Sequence, residues 1–217
     1  MQSASWILWN LFLAAIPAAL AYLFAYGAER FTVRKKKVPW LAWTPLALGW
    51  FAFLPNTCYL LTELRHFLLD PVYGPIFAAA KNDSSAMLTV AEFGLFFALY
   101  SGFGVVCFVL AIRPVERLMR EAKIPRLPFA APFFFLMSLG VYLGLIERLN
   151  SWNVINHPAI VLRKIFYALT TPHLVRVIIA FAIVLWFIYQ LGDVWADGMA
   201  LRLRQRGLLP KSRSKSG

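Results

Sequence analysis

Five apolar stretches, each about 20 residues long and nearly free of charge, recur along the chain. They cover residues 6–26, 41–61, 87–112, 127–149 and 174–195. A helix of about 20 apolar residues spans the hydrocarbon core of a bilayer. Charged residues make up only 15% of the 217 residues, against roughly 25% in a soluble domain. The sequence therefore predicts an all-α membrane bundle of five transmembrane helices with short interfacial helices. It occupies residues 1–200, and a basic cytoplasmic tail follows at 201–217.

Most of the 22 Lys and Arg side chains lie in three clusters between these stretches. The clusters are residues 30–37, 113–126 and 202–215. Cytoplasmic loops are enriched in Lys and Arg, so the N-terminus is assigned to the outside and the C-terminus to the cytoplasm. No Lys or Arg precedes the first stretch, which is interpreted as a retained helix and not as a signal peptide. The basic residues that give the chain its net charge of +12 lie mostly in these cytoplasmic clusters. Nucleic acid is therefore not expected as a partner.

Several local features predict where helices bend, begin or end. Pro55 lies inside the second stretch and should kink it, because proline lacks the backbone N–H. Residues 82–85 supply N-cap side chains for the third helix. Arg113-Pro114 is expected to end that helix, and residues 115–122 to form a short amphipathic helix on the cytoplasmic surface. Residues 159–169 are expected to lie in the membrane interface.

Cysteine and histidine residues give no pattern of a metal site or a disulfide framework. Cys58 and Cys107 are placed near opposite membrane faces by this topology, too far apart for a disulfide. His66, His157 and His173 lack the spacing of a helical metal site. No metal and no cofactor is therefore expected.

Polar side chains concentrate at the helix ends that this topology places outside. Asn56, Tyr59, Glu63 and His66 recur at steps of three and four, so in a continuous helix they share one face. Glu92 lies inside the third stretch, where a carboxylate facing lipid would cost a few kcal/mol. We therefore expect Glu92 to lie in a water-filled cavity or to face a partner from an adjacent helix end, with Arg148, Arg65 and His66 as the candidates.

The fourth stretch combines a small-residue motif with charged residues. Gly140 and Gly144 form a GxxxG motif, which allows two helix backbones to approach closely. Helical phase places Glu147, Arg148 and Ser151 on the same face, so we expect a buried seam against a neighbouring helix. The complete candidate polar site is Asn56, Tyr59, Glu63, His66, Glu92, Glu147, Arg148, Asn150, Ser151, Trp152 and Asn153.

Two motifs resemble those of a bacterial membrane family, domain of unknown function 1361. The first motif is Pro55-Asn56-Thr57-Cys58-Tyr59-Leu60-Leu61-Thr62-Glu63, and the second is Gly144-Leu145-Ile146-Glu147-Arg148-Leu149-Asn150-Ser151-Trp152-Asn153. The chain departs from the family pattern at Glu63 and Asn153, where aspartate is usual, and at Leu145, where arginine is usual. The resemblance implies a multi-spanning membrane protein and implies no molecular function.

Three functions compete at this stage. In the first, the chain is a structural or partner subunit whose polar cluster holds helices together, with a protein partner or a second copy beside it. In the second, it is a small membrane enzyme or lipid-handling protein, with Glu63 or His66 as general base and Arg148 binding an anionic lipid headgroup. In the third, it is a transporter component with Glu92 and Arg148 along the path. The lipid bilayer is a partner in all three.

The topology predicts the location of the C-terminus. A reporter fused after Gly217 should be cytoplasmic, because the basic residues 202–215 favour the inner side of the membrane. Paired reporters that are active only in the cytoplasm or only outside would measure this. An extracytoplasmic reporter would contradict the assignment.

Overall fold

The computed structural model describes residues 4–33, 40–125, 127–149 and 153–208, and within these ranges the chain is helical and contains no strand. The helices are α1 (Ala4–Val33), α2 (Trp40–Phe53), α3 (Pro55–Thr62), α4 (Leu64–Leu69), a 3₁₀ turn (Pro71–Tyr73), α5 (Gly74–Ala79), α6 (Ser84–Glu121), α7 (Leu127–Leu145), α8 (Asn153–Asn156), α9 (Pro158–Thr170) and α10 (Pro172–Gln205).

Four helices among the described residues are long and apolar enough to cross a membrane. They contain Ser5–Ala28, Ser84–Glu121, Pro128–Leu145 and Pro172–Gln205. These ranges correspond to the first, third, fourth and fifth apolar stretches. The predicted fold class, an all-α bundle of membrane-type helices, is confirmed.

The second apolar stretch is broken into two helices at Leu54. Helix α2 has 14 residues and α3 has 8, and Pro55 lies at the start of α3. Proline has no N–H to continue the helical hydrogen bonds. The Thr57 hydroxyl donates to the Leu54 carbonyl at 2.8 Å and so satisfies a backbone acceptor at the break. The predicted interruption at Pro55 is confirmed, and it separates two helices that are each shorter than a bilayer crossing.

Helices α2 and α3 together run antiparallel to α1. Near one end of the pair, the Trp43 ring fills the space beside Gly27, and further along the side chain of Leu20 approaches Gly49. Residue numbers therefore fall on α1 as they rise on α2.

Helix α6 also runs antiparallel to α2 and α3. The Trp50 indole N–H donates to the Ala111 carbonyl at 2.8 Å. The Ser101 hydroxyl donates to the Leu60 carbonyl at 2.9 Å. Helices α2 and α3 are therefore each hydrogen-bonded to α6, one on either side of the break at Leu54.

Helices α7 and α10 continue the alternation of direction. Helix α7 is parallel to α3, because Gly140 faces Pro55 and Gly144 faces Tyr59. Helix α10 is antiparallel to α7, because the Ser138 hydroxyl of α7 donates to the Ile178 carbonyl of α10 at 2.7 Å and the Phe134 ring lies beside the Tyr189 ring. The chain direction therefore reverses from α1 to α2–α3, to α6, to α7 and to α10.

Helix α3 lies at the centre of the bundle. Leu54 and Cys58 are fully buried in the main core with Phe108, while Leu60 is buried in a second cluster with Tyr100 and Cys107. The expectation that the two cysteines lie near opposite faces is wrong. Both cysteines are buried and free. Antiparallel packing brings α3 against the middle of α6, so the two cysteines do not lie at opposite ends of the bundle.

Helix α6 does not end at Arg113-Pro114. It continues to Glu121, so the predicted separate cytoplasmic helix is instead its last turns. Arg113 forms ion pairs with Asp193, at 3.0 Å, and with Asp197 of α10. These ion pairs join α6 to α10 next to Pro114.

The shorter helices lie at the opposite end of α6. The Asp83 side chain accepts from the Ser85 N–H at 2.9 Å, which confirms the predicted N-cap. Helix α9 confirms a helix over the predicted residues 159–169, and its position in a membrane interface stays a prediction. Residues 209–217 of the predicted basic tail lie outside the described residues.

The close approach of α7 to α3 predicts a strong effect of Gly140. A Cβ atom at Gly140 would lie 2.8 Å from Cγ of Pro55. We expect Gly140→Leu to lower the free energy of unfolding by about 1–3 kcal/mol through overpacking. Thermal unfolding of the purified protein in detergent measures this. Gly102 of α6 has no atom within 4 Å of such a Cβ, so Gly102→Leu is the matched control, and equal losses in both variants would contradict the packing.

Candidate functional site

The two motifs of the sequence meet where α3 packs on α7. The Tyr59 ring occupies the space beside Gly144, and its hydroxyl lies 3.4 Å from the Gly140 carbonyl, to which it donates. A side chain at Gly144 would collide with the Tyr59 hydroxyl. The GxxxG motif therefore serves internal packing between α3 and α7.

Glu147 does not lie on the buried seam that helical phase predicted. Helix α7 ends at Leu145, so the rotation of 100° per residue does not extend to Glu147. The carboxylate instead pairs with Lys164 of α9 at 2.6 Å and accepts from the Tyr142 hydroxyl at 3.1 Å. The hydrogen bond from the Lys164 ammonium lowers the pKa of Glu147 below its ordinary value. This ion pair fastens α9 to the end of α7.

Arg148 also departs from the prediction. Its side chain is exposed, and the residue adopts a positive φ of 54° in the turn that follows α7. That backbone conformation is unfavourable for a residue with a side chain, by about 1–2 kcal/mol. Among the side chains that the structure describes, none forms an ion pair with Arg148. The guanidinium therefore faces outward from the chain.

Glu63 and Asn56 are buried, each with 8% of its surface exposed. Helix α3 ends at Thr62 and Glu63 is its C-cap, so the predicted continuous helix to His66 is interrupted. The enclosed Tyr100 hydroxyl of α6 lies near Asn10 of α1 and Glu63, and it forms no hydrogen bond with a residue that the structure describes.

Asn10, Tyr100 and Lys164 were absent from the sequence-based site. Asn10 could have been found, since it is an isolated amide within the first apolar stretch. Tyr100 is one of eight tyrosines, and nothing in its surroundings distinguishes it. Lys164 was assigned to an interfacial helix whose packing the sequence does not reveal.

Glu92 does not join the other polar residues. It is exposed on α6, on a surface shared with exposed Leu88, Leu95 and Leu99. The structure shows no ion pair between Glu92 and a side chain that it describes. The expected convergence of Glu92 with the motif residues is therefore wrong, because the face of α6 that packs inward carries Phe93 and Phe97 instead.

The remaining candidates are described only in part. The side chain of His66 and all of Asn150, Ser151 and Trp152 lie outside the described residues. Asn153 begins the short helix α8, and its carbonyl accepts from the His157 N–H at 2.9 Å.

The chemistry of this region is that of packing and pairing. Across the described ranges, no group of three His, Cys, Asp or Glu side chains could hold a metal ion. The buried carboxyl group of Glu63 and the exposed guanidinium of Arg148 have different surroundings, and no ion pair between them is present. The arrangement can join helices, and it offers the Arg148 cation and the Glu92 carboxylate to groups outside the chain.

A family model of proteins of unknown function, DUF1361, matches residues 9–188. This chain belongs to that family. The matched range contains both motifs and every described helix from α2 to α9. No curated protein and no solved structure matches the chain at the threshold applied.

The Glu147–Lys164 pair predicts a pH-dependent stability. Because the pKa of Glu147 is lowered on folding, the pair is fully stabilising above the ordinary glutamate pKa of about 4.3 and is lost as the pH falls through the lowered value. We expect Lys164→Met to reduce stability at pH 7 by less than about 1 kcal/mol, since the pair is partly exposed.

Thermal unfolding of wild type and variant across pH measures this contribution. The difference between them should shrink as the pH falls below 4. Arg163→Met removes a neighbouring exposed cation and is the control. A loss in Arg163→Met equal to that in Lys164→Met would contradict a specific ion pair.

Proposed function

We propose that this protein is a structural or partner subunit in a bacterial plasma membrane. It crosses the membrane five times, with the N-terminus outside and the C-terminus in the cytoplasm. Its two motifs hold the helices together at the extracytoplasmic face, and the exposed charges at that face contact a partner. The observation that carries the proposal is the fit of Tyr59 into the space beside Gly144.

The alternation of chain direction supports five crossings. At about 1.5 Å per residue, α2 and α3 together rise roughly 33 Å, which is enough to cross a hydrocarbon core of about 30 Å. Irregular backbone at membrane depth is tolerated where protein buries it, and Leu54 and Pro55 are buried. The basic clusters then lie on one side, in agreement with the enrichment of Lys and Arg in cytoplasmic loops.

The use of the motif side chains supports a structural role. Tyr59 packs on α7, and Glu147 binds Lys164 of α9. Thr57 satisfies the carbonyl at the break between α2 and α3. Side chains engaged in this way orient helices and are not available to bind a substrate.

Glu92 favours a protein partner beside α6. A carboxylate among exposed leucines is costly next to lipid unless a cation approaches it. A helix of another chain that carries Lys or Arg at this depth would supply that cation. The GxxxG motif is already filled by α3, so such a partner would not use it.

Arg148 favours a second candidate, the handling of anionic lipid headgroups at the outer leaflet. Backbone conformations that disfavour the residue present often occur at functional sites. The exposed guanidinium is suited to bind a phosphate or carboxylate by two hydrogen bonds. In this candidate Arg148 holds the headgroup, and the packed helices only support it.

Two variants separate these candidates. Tyr59→Ala should lower the free energy of unfolding by about 3 kcal/mol, because it leaves a cavity against Gly144. Arg148→Ala should remain folded and keep the same co-purified lipids and metabolites, measured by mass spectrometry of the detergent-purified protein. If Arg148→Ala stays folded but loses a bound anionic lipid, the structural proposal fails and the headgroup candidate replaces it.

A further inference from the structure

Helices α6 and α10 each contain a long uncharged stretch that lies between two residues of opposite charge. On α6, residues 93–112 are uncharged and lie between Glu92 and Arg113. On α10, the uncharged stretch lies between Arg176 and Asp193. At about 1.5 Å per residue the stretch of α6 is about 30 Å long, so its two charges lie near opposite edges of the hydrocarbon core.

The charges at the cytoplasmic end of these stretches pair within the chain. Arg113 forms an ion pair with Asp193 at 3.0 Å. At the same level, the Val109 side chain of α6 fills the space beside Gly192 of α10. Because α6 and α10 run in the same direction, equal numbers of residues counted from this contact lead to equal depths in the membrane.

The charges at the other end, Glu92 and Arg176, lie at the same depth. At about 1.5 Å per residue, Glu92 is about 26 Å from the level of Val109, and Arg176 is about 24 Å from the level of Gly192. A carboxylate and a guanidinium are thus present at one level near the extracytoplasmic edge of the hydrocarbon core.

At this depth α6 and α10 have different neighbours. The Phe97 ring of α6 stacks on the Phe67 ring of α4, with centroids 5.4 Å apart. The Ile178 carbonyl of α10 accepts from a hydroxyl of α7. Glu92 and Arg176 are both exposed, and neither one pairs with a charged side chain in the part of the chain that the structure describes.

We propose that the partner beside α6 is a second copy of this chain, and that Glu92 of one copy pairs with Arg176 of the other. This inference rests on the proposed function, in which Glu92 meets a cation of another chain. Two copies inserted in the same orientation bring the two charges together without a change of depth. Near the edge of the hydrocarbon core the effective dielectric constant is below that of water, so the attraction is stronger there.

Arg176 matches the depth of Glu92 because it lies within a long apolar helix. Lys81 and Arg148 are exposed cations at the same end of the bundle. Lys81 precedes the first residue of α6, and Arg148 follows the last residue of α7. Both therefore lie further out than the uncharged stretches, whereas Arg176 directly adjoins one.

Exposed apolar side chains flank both charges at helical spacing, so each charge and its neighbours share one face. These side chains are Leu88, Leu95 and Leu99 on α6, and Ala180, Ile183 and Phe187 on α10. Van der Waals packing of such faces, together with polar contacts, drives helix association in a bilayer. The ion pair then determines which faces meet.

Charge reversal tests the pair with the full chain in vesicles, fused after Gly217 to a donor or an acceptor fluorescent protein. Energy transfer at a fixed protein density measures self-association. We expect Glu92→Arg alone and Arg176→Glu alone each to weaken association by roughly tenfold, because like charges then face each other. A mixture of the two variants should regain the wild-type transfer, since each reversed charge meets its complement on the other variant.

Lys81→Glu reverses an exposed charge at the same end of the bundle and is the matched control, with transfer unchanged. Unfolding temperatures identify a reversal variant that fails to fold. In that case Glu92→Gln and Arg176→Gln, which remove the charges without reversing them, should still weaken association. Wild-type transfer in the folded variants, or no recovery in the mixture, would overturn the pair.

A failure of this pair and a failure of the proposed function give different results. If the wild-type chain is monomeric and Glu92→Arg loses a co-purified protein, another protein supplies the cation. The second copy is then the wrong partner, and the structural role stands. A monomeric wild-type chain without such a protein also overturns the second copy. Loss of an anionic lipid in folded Arg148→Ala would overturn the proposed function itself.

Discussion

The backbone break between α2 and α3 is the constraint on which the rest of the bundle depends. A proline at depth leaves carbonyl groups without donors, and hydrocarbon offers none. Beside the break, the Leu54 carbonyl accepts from both the N–H and the hydroxyl of Thr57. The chain then surrounds the short helix α3 with α1, α6 and α7. The most interrupted element of the sequence is therefore also the most enclosed.

Residue pattern was sufficient to predict which stretches form long helices, but α1, α6 and α10 extend beyond the apolar residues. Stretches of about 20 uncharged residues can only be stable in a bilayer as helices, so the fold class followed directly. Pro55 and Asp83 act through local backbone chemistry, and both effects were predictable. The continuation of α6 through Pro114 was not predicted, because prolines are tolerated inside membrane helices, as Pro17 and Pro132 are in α1 and α7.

The candidate site was only partly predictable, for a related reason. Spacing correctly predicted that Gly140 and Gly144 pack closely against a neighbouring helix. Spacing failed for Glu147 and Arg148, because it assumes that the helix continues through these residues. It failed for Glu92, because it assumes that a buried carboxylate lies beside the nearest cation. Helix α7 ends two residues before Glu147, and Glu92 lies on the outer surface of α6. Helix ends and the rotation of one helix against another depend on tertiary packing, which a single sequence does not display.

The fit of Tyr59 against Gly144 has a consequence for how this family can vary. The two positions share one volume, so a larger residue at Gly144 is tolerated only when residue 59 becomes smaller. The energetic effects of changes at the two positions are then non-additive, as for residues in direct contact generally. An evolutionary path between two acceptable pairs would pass through an overpacked or a hollow intermediate. The interface would therefore resist gradual change although neither residue acts on a substrate.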